Sequence, residues 1–191
     1  MQNFTFRTES DGYGWVKVKI AAGSQDVTFY ASYLRSYPLR DALKTLRYIL
    51  SRDKEEPAYH EPEYMEWESE PGCLVVSLQI LEDDNLLVRV KENAHGNSWH
   101  ISETTWETKL ETVLPLAEYK DIIIKEAERN LVLHGLVGME DDWMSGPDVF
   151  PLNTYLALKG IRSTEGPDQL KTSSLVEELK ILNSLLESKD D

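Results

Sequence analysis

Cysteine is nearly absent: the 191 residues hold one, Cys73. A lone thiol can close no internal disulfide and supplies no Cys pair for a zinc centre. Placed at the start of an apolar strand, it reads as a packing thiol rather than a nucleophile. Long hydrophobic runs are also missing, and no stretch approaches the roughly 18 apolar residues that cross a bilayer. Residues 1–7 lack the charged region, apolar stretch and small-residue cleavage site of a signal peptide. These absences predict a protein of a reducing cytoplasm. Basic charge is scarce, with 20 Lys and Arg against 34 Asp and Glu for a net charge of −14. Counterion release is then an improbable source of affinity, which disfavours nucleic acid as a partner. The chain shows no Gly-x-Ser-x-Gly elbow and no phosphate loop of the Gly-x4-Gly-Lys-Ser/Thr type. Its acidic turns, at 82–84 and 140–142, lack the spaced ligands and central Gly of a calcium loop.

What is present is ordinary globular material. Hydrophobic residues make up 41% of the chain, and five Trp, nine Tyr and four Phe supply bulk for a core. Phe4 and Phe6, then Val16, Val18 and Ile20, then Val27, Phe29 and Ala31 alternate with polar neighbours. The turns between them fall at 11–14 and 22–25. That period of two predicts three short strands in an antiparallel meander. Pro38 suits a first helical turn, and Leu39, Ala42, Leu43, Leu46, Ile49 and Leu50 follow at helical spacing. Arg40, Lys44 and Arg47 gather on another face, read as a solvated helix surface.

Acidity is concentrated in one window. Residues 53–84 hold eleven acids and one base, Lys54, and carry −10 of the net charge, whereas residues 1–52 are net +4. The window reads as a loop over 53–62 and a strand over 63–70, with a Pro71-Gly72 turn. A strand bearing Leu74, Val76, Leu78 and Ile80 and an acidic turn, Glu82-Asp83-Asp84, complete it. A strand with Leu86, Val88 and Val90 follows. If Met65 and Trp67 face the core, Glu66, Glu68 and Glu70 stand in a row on the other face. Three readings of that row stay open. It is a solvent-facing strand with pairs to Arg89 and Lys91 or to Lys17 and Lys19. It is an acidic docking surface for a basic protein. Or it is a catalytic carboxylate pair, which needs a flanking cleft.

Residues 92–103 read as a loop, and 104–113, with mixed signals, as a last strand. Residues 116–135 give the strongest helical pattern, with Gly135 and Gly138 as stops. A short helix from Pro151 ends at Gly160. A last helix bears Leu175, Val176, Leu179, Leu182, Leu185 and Leu186, and Ser174 and Glu177 match a capping box at its start. The expected organisation is one α+β domain over 1–160, a linker over 161–172 and a C-terminal helix over 173–188. The fold expectation is an antiparallel sheet of about six or seven strands with one early helix packed on it and a helical C-terminal third.

Four histidines, His60, His95, His100 and His134, form no helical i, i+4 metal motif. No catalytic residue, metal ligand or cofactor is assigned. The Trp67-Glu68-Ser69-Glu70-Pro71-Gly72 strand end after a Leu/Arg-rich helix resembles a group of small uncharacterised bacterial α+β proteins. So does Trp143 followed by Phe150-Pro151-Leu152 and a leucine helix. The likeness spans roughly residues 30–160, and some of that group are immunity proteins of polymorphic-toxin or contact-dependent inhibition systems. With the charge window, the resemblance implies a cytoplasmic immunity-type inhibitor that occludes a basic toxin, with no membrane or nucleic-acid partner. The residues expected to bind that partner are Tyr64, Glu66, Trp67, Glu68, Glu70, Glu82, Asp83 and Asp84. Two alternatives stand beside it: an enzyme whose site joins His95 or His100 to dispersed carboxylates, and an oligomeric protein that dimerises through the C-terminal helix.

Overall fold

The computed structural model describes residues 3–10, 15–32, 36–69, 72–93, 106–142, 150–162, 164–165 and 171–187. The chain is α+β, as expected. Strands β1 (Phe4–Ser10), β2 (Trp15–Ala22) and β3 (Gln25–Ser32) form one antiparallel meander. After helix α1 (Pro38–Ser51), strands β4 (Glu63–Ser69), β5 (Gly72–Ile80), β6 (Asn85–Asn93) and β7 (Glu107–Pro115) form a second. Helix α2 (Leu116–Asp142) follows directly, then α3 (Leu152–Leu158), the two-residue pair β8 (Thr164–Glu165) and β9 (Lys171–Thr172), and α4 (Leu175–Glu187). None of the described helices is long and apolar enough to cross a membrane.

The expected single sheet is therefore two sheets, of three and four strands. Strands β3 and β4 lie close to one another, yet no ladder joins them. At their seam the Glu68 amide of β4 donates to Ser36 Oγ at 2.7 Å, and the Ser36 amide donates to Ser32 O at 3.0 Å. A side-chain hydroxyl thus satisfies an edge amide that a neighbouring strand would otherwise have taken. The turn expected at 11–14 and the loop residues 94–105 lie outside the described residues.

Alternation decides which faces close together. Val18, Ile20 and Phe29 of the first sheet and Trp67, Leu74, Val76, Leu78, Val88 and Leu110 of the second belong to one apolar core with Leu39, Leu43 and Leu46 of α1. Phe6 meets Trp67 between the sheets, with ring centroids 6.2 Å apart. Leu50, expected on the apolar stripe of α1, is instead exposed. Gly135, an expected stop, does interrupt the helical path of α2, at φ 66°, ψ 172°, and a second helical segment follows across the kink.

Helix α2 is held to β1 by a buried carboxylate. Glu126 is 1% exposed in its side chain, and its Oε1 accepts from Thr8 N at 2.7 Å, Thr8 Oγ1 at 3.0 Å, Arg129 at 2.7 Å and Asn130 at 3.0 Å. Its Oε2 accepts from Arg7 at 2.8 Å and Arg129 at 2.9 Å. Arg129 also donates to Thr8 O at 2.6 Å. Burial by itself would raise the Glu126 pKa, but the bonds from Arg129, Thr8 and Arg7 outweigh it and hold the group below the ordinary carboxylate range. On the opposite side of the helix, Glu128 accepts from Tyr155 at 3.1 Å and Lys159 at 2.8 Å, which ties α3 to α2.

Replacing Glu126 by Ala leaves the buried Thr8 and Asn130 and the half-buried Arg129 without their acceptor, and urea denaturation is expected to show a loss of about 2–4 kcal/mol. Because the folded pKa is depressed, the wild-type contribution is present above the unfolded carboxylate pKa and disappears as pH falls through the lower folded value. A plot of stability against pH should accordingly fall more steeply below about pH 4 in the wild type than in Glu126→Ala.

Candidate functional site

The acidic window is built outward from Arg52, at the end of α1. Its Nη1 donates to Ala58 O at 2.9 Å and to Glu61 O at 2.7 Å, and its Nη2 pairs with Glu63. The guanidinium lies 4.9 Å from the centre of the Tyr48 ring. These bonds curl residues 53–62 back onto β4, through a short 3-10 turn at Pro57–His60. Gln79 of β5 donates to His60 O at 3.0 Å, and the His60 ring donates through Nδ1 to Ile80 O at 2.9 Å. Tyr59 is buried, and its hydroxyl donates to Asp84 at 3.1 Å.

The turn between β5 and β6 supplies the other half. Asp83 and Asp84 both adopt left-handed backbone, at φ 58° and 55°. That conformation costs an L-residue about 1–2 kcal/mol, and Asp is among the side chains that tolerate it best. Lys54 Nζ grips both Asp84 carboxylate oxygens, at 2.7 and 2.8 Å. The hydrogen bonds from Lys54 and Tyr59 hold the Asp84 pKa below its ordinary value, and the same contact raises that of Lys54. Loop and turn thereby become one lobe. It carries Asp53, Glu55, Glu56, Glu61, Glu82 and Asp83, all exposed, and none has a cationic partner among the described residues.

The sequence-predicted partner residues separate into groups on this framework. Glu82, Asp83 and Asp84 belong to the lobe, with Asp84 already engaged. Glu66 and Glu68 face outward on β4, at its far end. Glu66 pairs in register with Val75, so seven residues of strand and turn, about 23 Å at 3.3 Å per residue, separate it from Glu82. Tyr64 lies between the two groups and is 63% exposed. Glu70 lies outside the described residues. Trp67 requires a correction: it is 0% exposed, packed in the core, and cannot anchor a partner in this conformation. The pleat that turns Glu66 and Glu68 outward turns Trp67 inward.

The expected cross-strand partners of the glutamate row are used elsewhere. Arg89 binds Glu111 at 2.5 Å, Lys19 binds Glu9 at 3.1 Å, and Lys17 lies 5.8 Å from the Tyr30 ring centre. Lys91 sits two strands away from Glu66, with Val75 between them. Glu66 instead accepts a bond from Cys73 Sγ at 3.3 Å. Sequence reading did not foresee Arg52, Tyr59 and His60 as the fasteners of the lobe. Their bonds run to backbone carbonyls and to a carboxylate brought close only by the tertiary fold, so spacing carries no trace of them.

Among the described residues, no group of three or more His, Cys, Asp or Glu side chains is placed to hold a metal. His60 is fixed to Ile80 O, and His95 and His100, on which the enzyme alternative turned, lie outside the described residues. Comparison with protein-family models, curated proteins and solved structures finds no match.

Cys73 is 0% exposed, and burial, followed by the nearby Glu66 and Glu68 carboxylates, pushes its pKa well above the ordinary thiol range. It should therefore resist an aromatic disulfide reagent at pH 8 in the folded protein, at under about 1% of its rate in urea. Labelling at the unfolded rate would show that the β4–β5 seam opens freely.

Proposed function

We propose that this chain is a binding protein that engages a basic protein partner through the acidic lobe and the adjoining β4 face, in the manner of a cytoplasmic immunity-type inhibitor. The observation that carries this reading is the set of exposed carboxylates without cationic partners on a lobe pinned by Arg52, Lys54 and Tyr59. A fixed like-charged surface steers a basic partner during encounter and needs little reordering on contact. Tyr64, exposed between the lobe and Glu66, is the aromatic anchor suited to the rim of such an interface. Binding would cover the partner's basic site, and the inhibitor itself would perform no chemistry.

The test begins by capturing the partner from native extract and purifying it for stopped-flow association. Glu55→Lys combined with Glu56→Lys, Glu82→Lys and Asp83→Lys should slow association at least about tenfold and flatten its salt dependence. Tyr64→Ala should instead speed dissociation. A fourfold reversal that associates at the wild-type rate rules out the lobe.

One further observation favours self-association through α4. Ser174 caps this helix, accepting from Glu177 N at 3.4 Å. Ile181, Leu182 and Leu185 pack on the core, while Leu175 and Leu186 are 65% and 66% exposed and Leu179 nearly half exposed. Leu175, Leu179, Leu182 and Leu186 follow 4-3-4 spacing, which lines one helix face and reads the same in both directions. An antiparallel copy therefore sets Leu175 against Leu186 and Leu179 beside the half-buried edge of Leu182, as a two-fold axis requires. Sedimentation equilibrium is expected to show a mass above the 21.9 kDa monomer at tens of micromolar, returning to monomer in Leu179→Glu with Leu186→Glu. A wild-type monomer at every concentration would exclude the dimer.

A further inference from the structure

Against a net charge of −14, three cations without any ion-pair or hydrogen-bond partner among the described residues meet at one recess. Arg47 and Leu50 come from one face of α1, Lys120 from the first turns of α2, and Leu158, Ile161 and Arg162 from the end of α3 and the residues after it. Its volume is 620 Å³, within the range of small-molecule sites. No acidic side chain among the described residues lines it. A neighbouring recess of 290 Å³ shares Leu50 and Lys120 and adds Leu116 and Ala117, the first residues of α2, where unpaired helix amides favour an anion. Arg52 lines that second recess. Its side chain is 7% exposed, and its Nε–H has no acceptor.

The positions are built into the fold. Gly160 ends α3 at φ 101°, with Ile161 N donating to Leu156 O and Gly160 N to Ala157 O, both at 3.0 Å. This Schellman ending reverses the chain and brings Ile161 and Arg162 to the recess wall. Lys159 and Tyr155, bonded to Glu128, hold α3 against α2, and the Glu126 network fixes α2.

We infer that this recess binds a small organic phosphate, with Arg47, Lys120 and Arg162 on the phosphate and Leu50, Leu158 and Ile161 against its apolar body. Two guanidiniums and an ammonium match a doubly charged phosphate better than a single carboxylate. A polymeric phosphate is disfavoured because the acidic lobe adjoins the smaller recess through Lys54, Tyr59 and Asp84. The inference is independent of the basic-partner reading.

Isothermal titration at low ionic strength with phenyl phosphate, AMP and inorganic phosphate tests it. Saturable one-to-one binding of phenyl phosphate or AMP is expected, at least about tenfold tighter than inorganic phosphate because the apolar walls add contact. The triple variant R47Q/K120Q/R162Q should lose at least about a hundredfold in affinity, with circular dichroism unchanged. Lys44→Gln, an exposed cation one helical turn from Arg47 that does not line the recess, should lose less than about threefold. Absence of saturable binding by both organic probes, or wild-type affinity in the triple variant, would overturn the site. So would an equal loss in Lys44→Gln, or tighter binding of an oligonucleotide than of AMP. Inorganic phosphate binding as tightly as phenyl phosphate would overturn the role of the apolar walls.

Discussion

The Glu126 carboxylate, buried beneath α2, is the contact on which the remaining geometry depends. It satisfies the Thr8 amide in β1, the guanidiniums of Arg7 and Arg129 and the Asn130 amide. A lone buried carboxylate would be severely unfavourable, and a fully bonded one is a positional lock. Its grip fixes the rotation of α2 against the first sheet. That rotation presents Glu128 to Tyr155 and Lys159 of the α3 region and points the start of the helix, with Lys120, toward α1. The wall of the basic recess is therefore set by a carboxylate that does not line it.

Charge in this molecule is separated in space as well as in sequence. Where opposite charges meet, they are mostly spent on construction: Arg52 with Glu63, Lys54 with Asp84, Arg89 with Glu111 and Lys109 with Glu107. The last three, open to solvent, add little stability individually. Their larger effect is to decide which charges are left over. Six exposed carboxylates without cationic partners among the described residues lie on the 53–62 and 82–84 lobe, and Arg47, Lys120 and Arg162 line the recess. Two surfaces of opposite sign then lie side by side, meeting at Lys54, Tyr59 and Asp84. The acidic one suits a protein and the basic one a small anion.

Much of the scaffold was legible in the residues. Alternating Val16, Val18 and Ile20, the Pro38 helix start, the Gly160 helix end and the Ser174 cap all rest on local backbone chemistry, and local chemistry survives into the fold. The split into two sheets did not show, because it hinges on a hydroxyl of Ser36 meeting an amide 32 residues away. The same limit hid the proposed binding surfaces. Leu50 fits the helical stripe of α1 yet borders a recess, and Arg47 looks like ordinary solvated surface until α2 and α3 bring Lys120 and Arg162 to it. Of the partner-binding set, the pleat itself separated Trp67 from its neighbours. The distance between Glu66 and Glu82 followed from the length of β5.

The central claim is that the two surplus charges serve two separate surfaces. Amide chemical-shift mapping of ¹⁵N-labelled protein, titrated in turn with a decalysine peptide and with phenyl phosphate, tests it most directly. Separate surfaces require the peptide to shift residues 55, 56, 82 and 83, and phenyl phosphate to shift residues 47, 50, 120, 161 and 162, with little overlap. Both ligands moving the same amides, or neither producing a localised set, would contradict it.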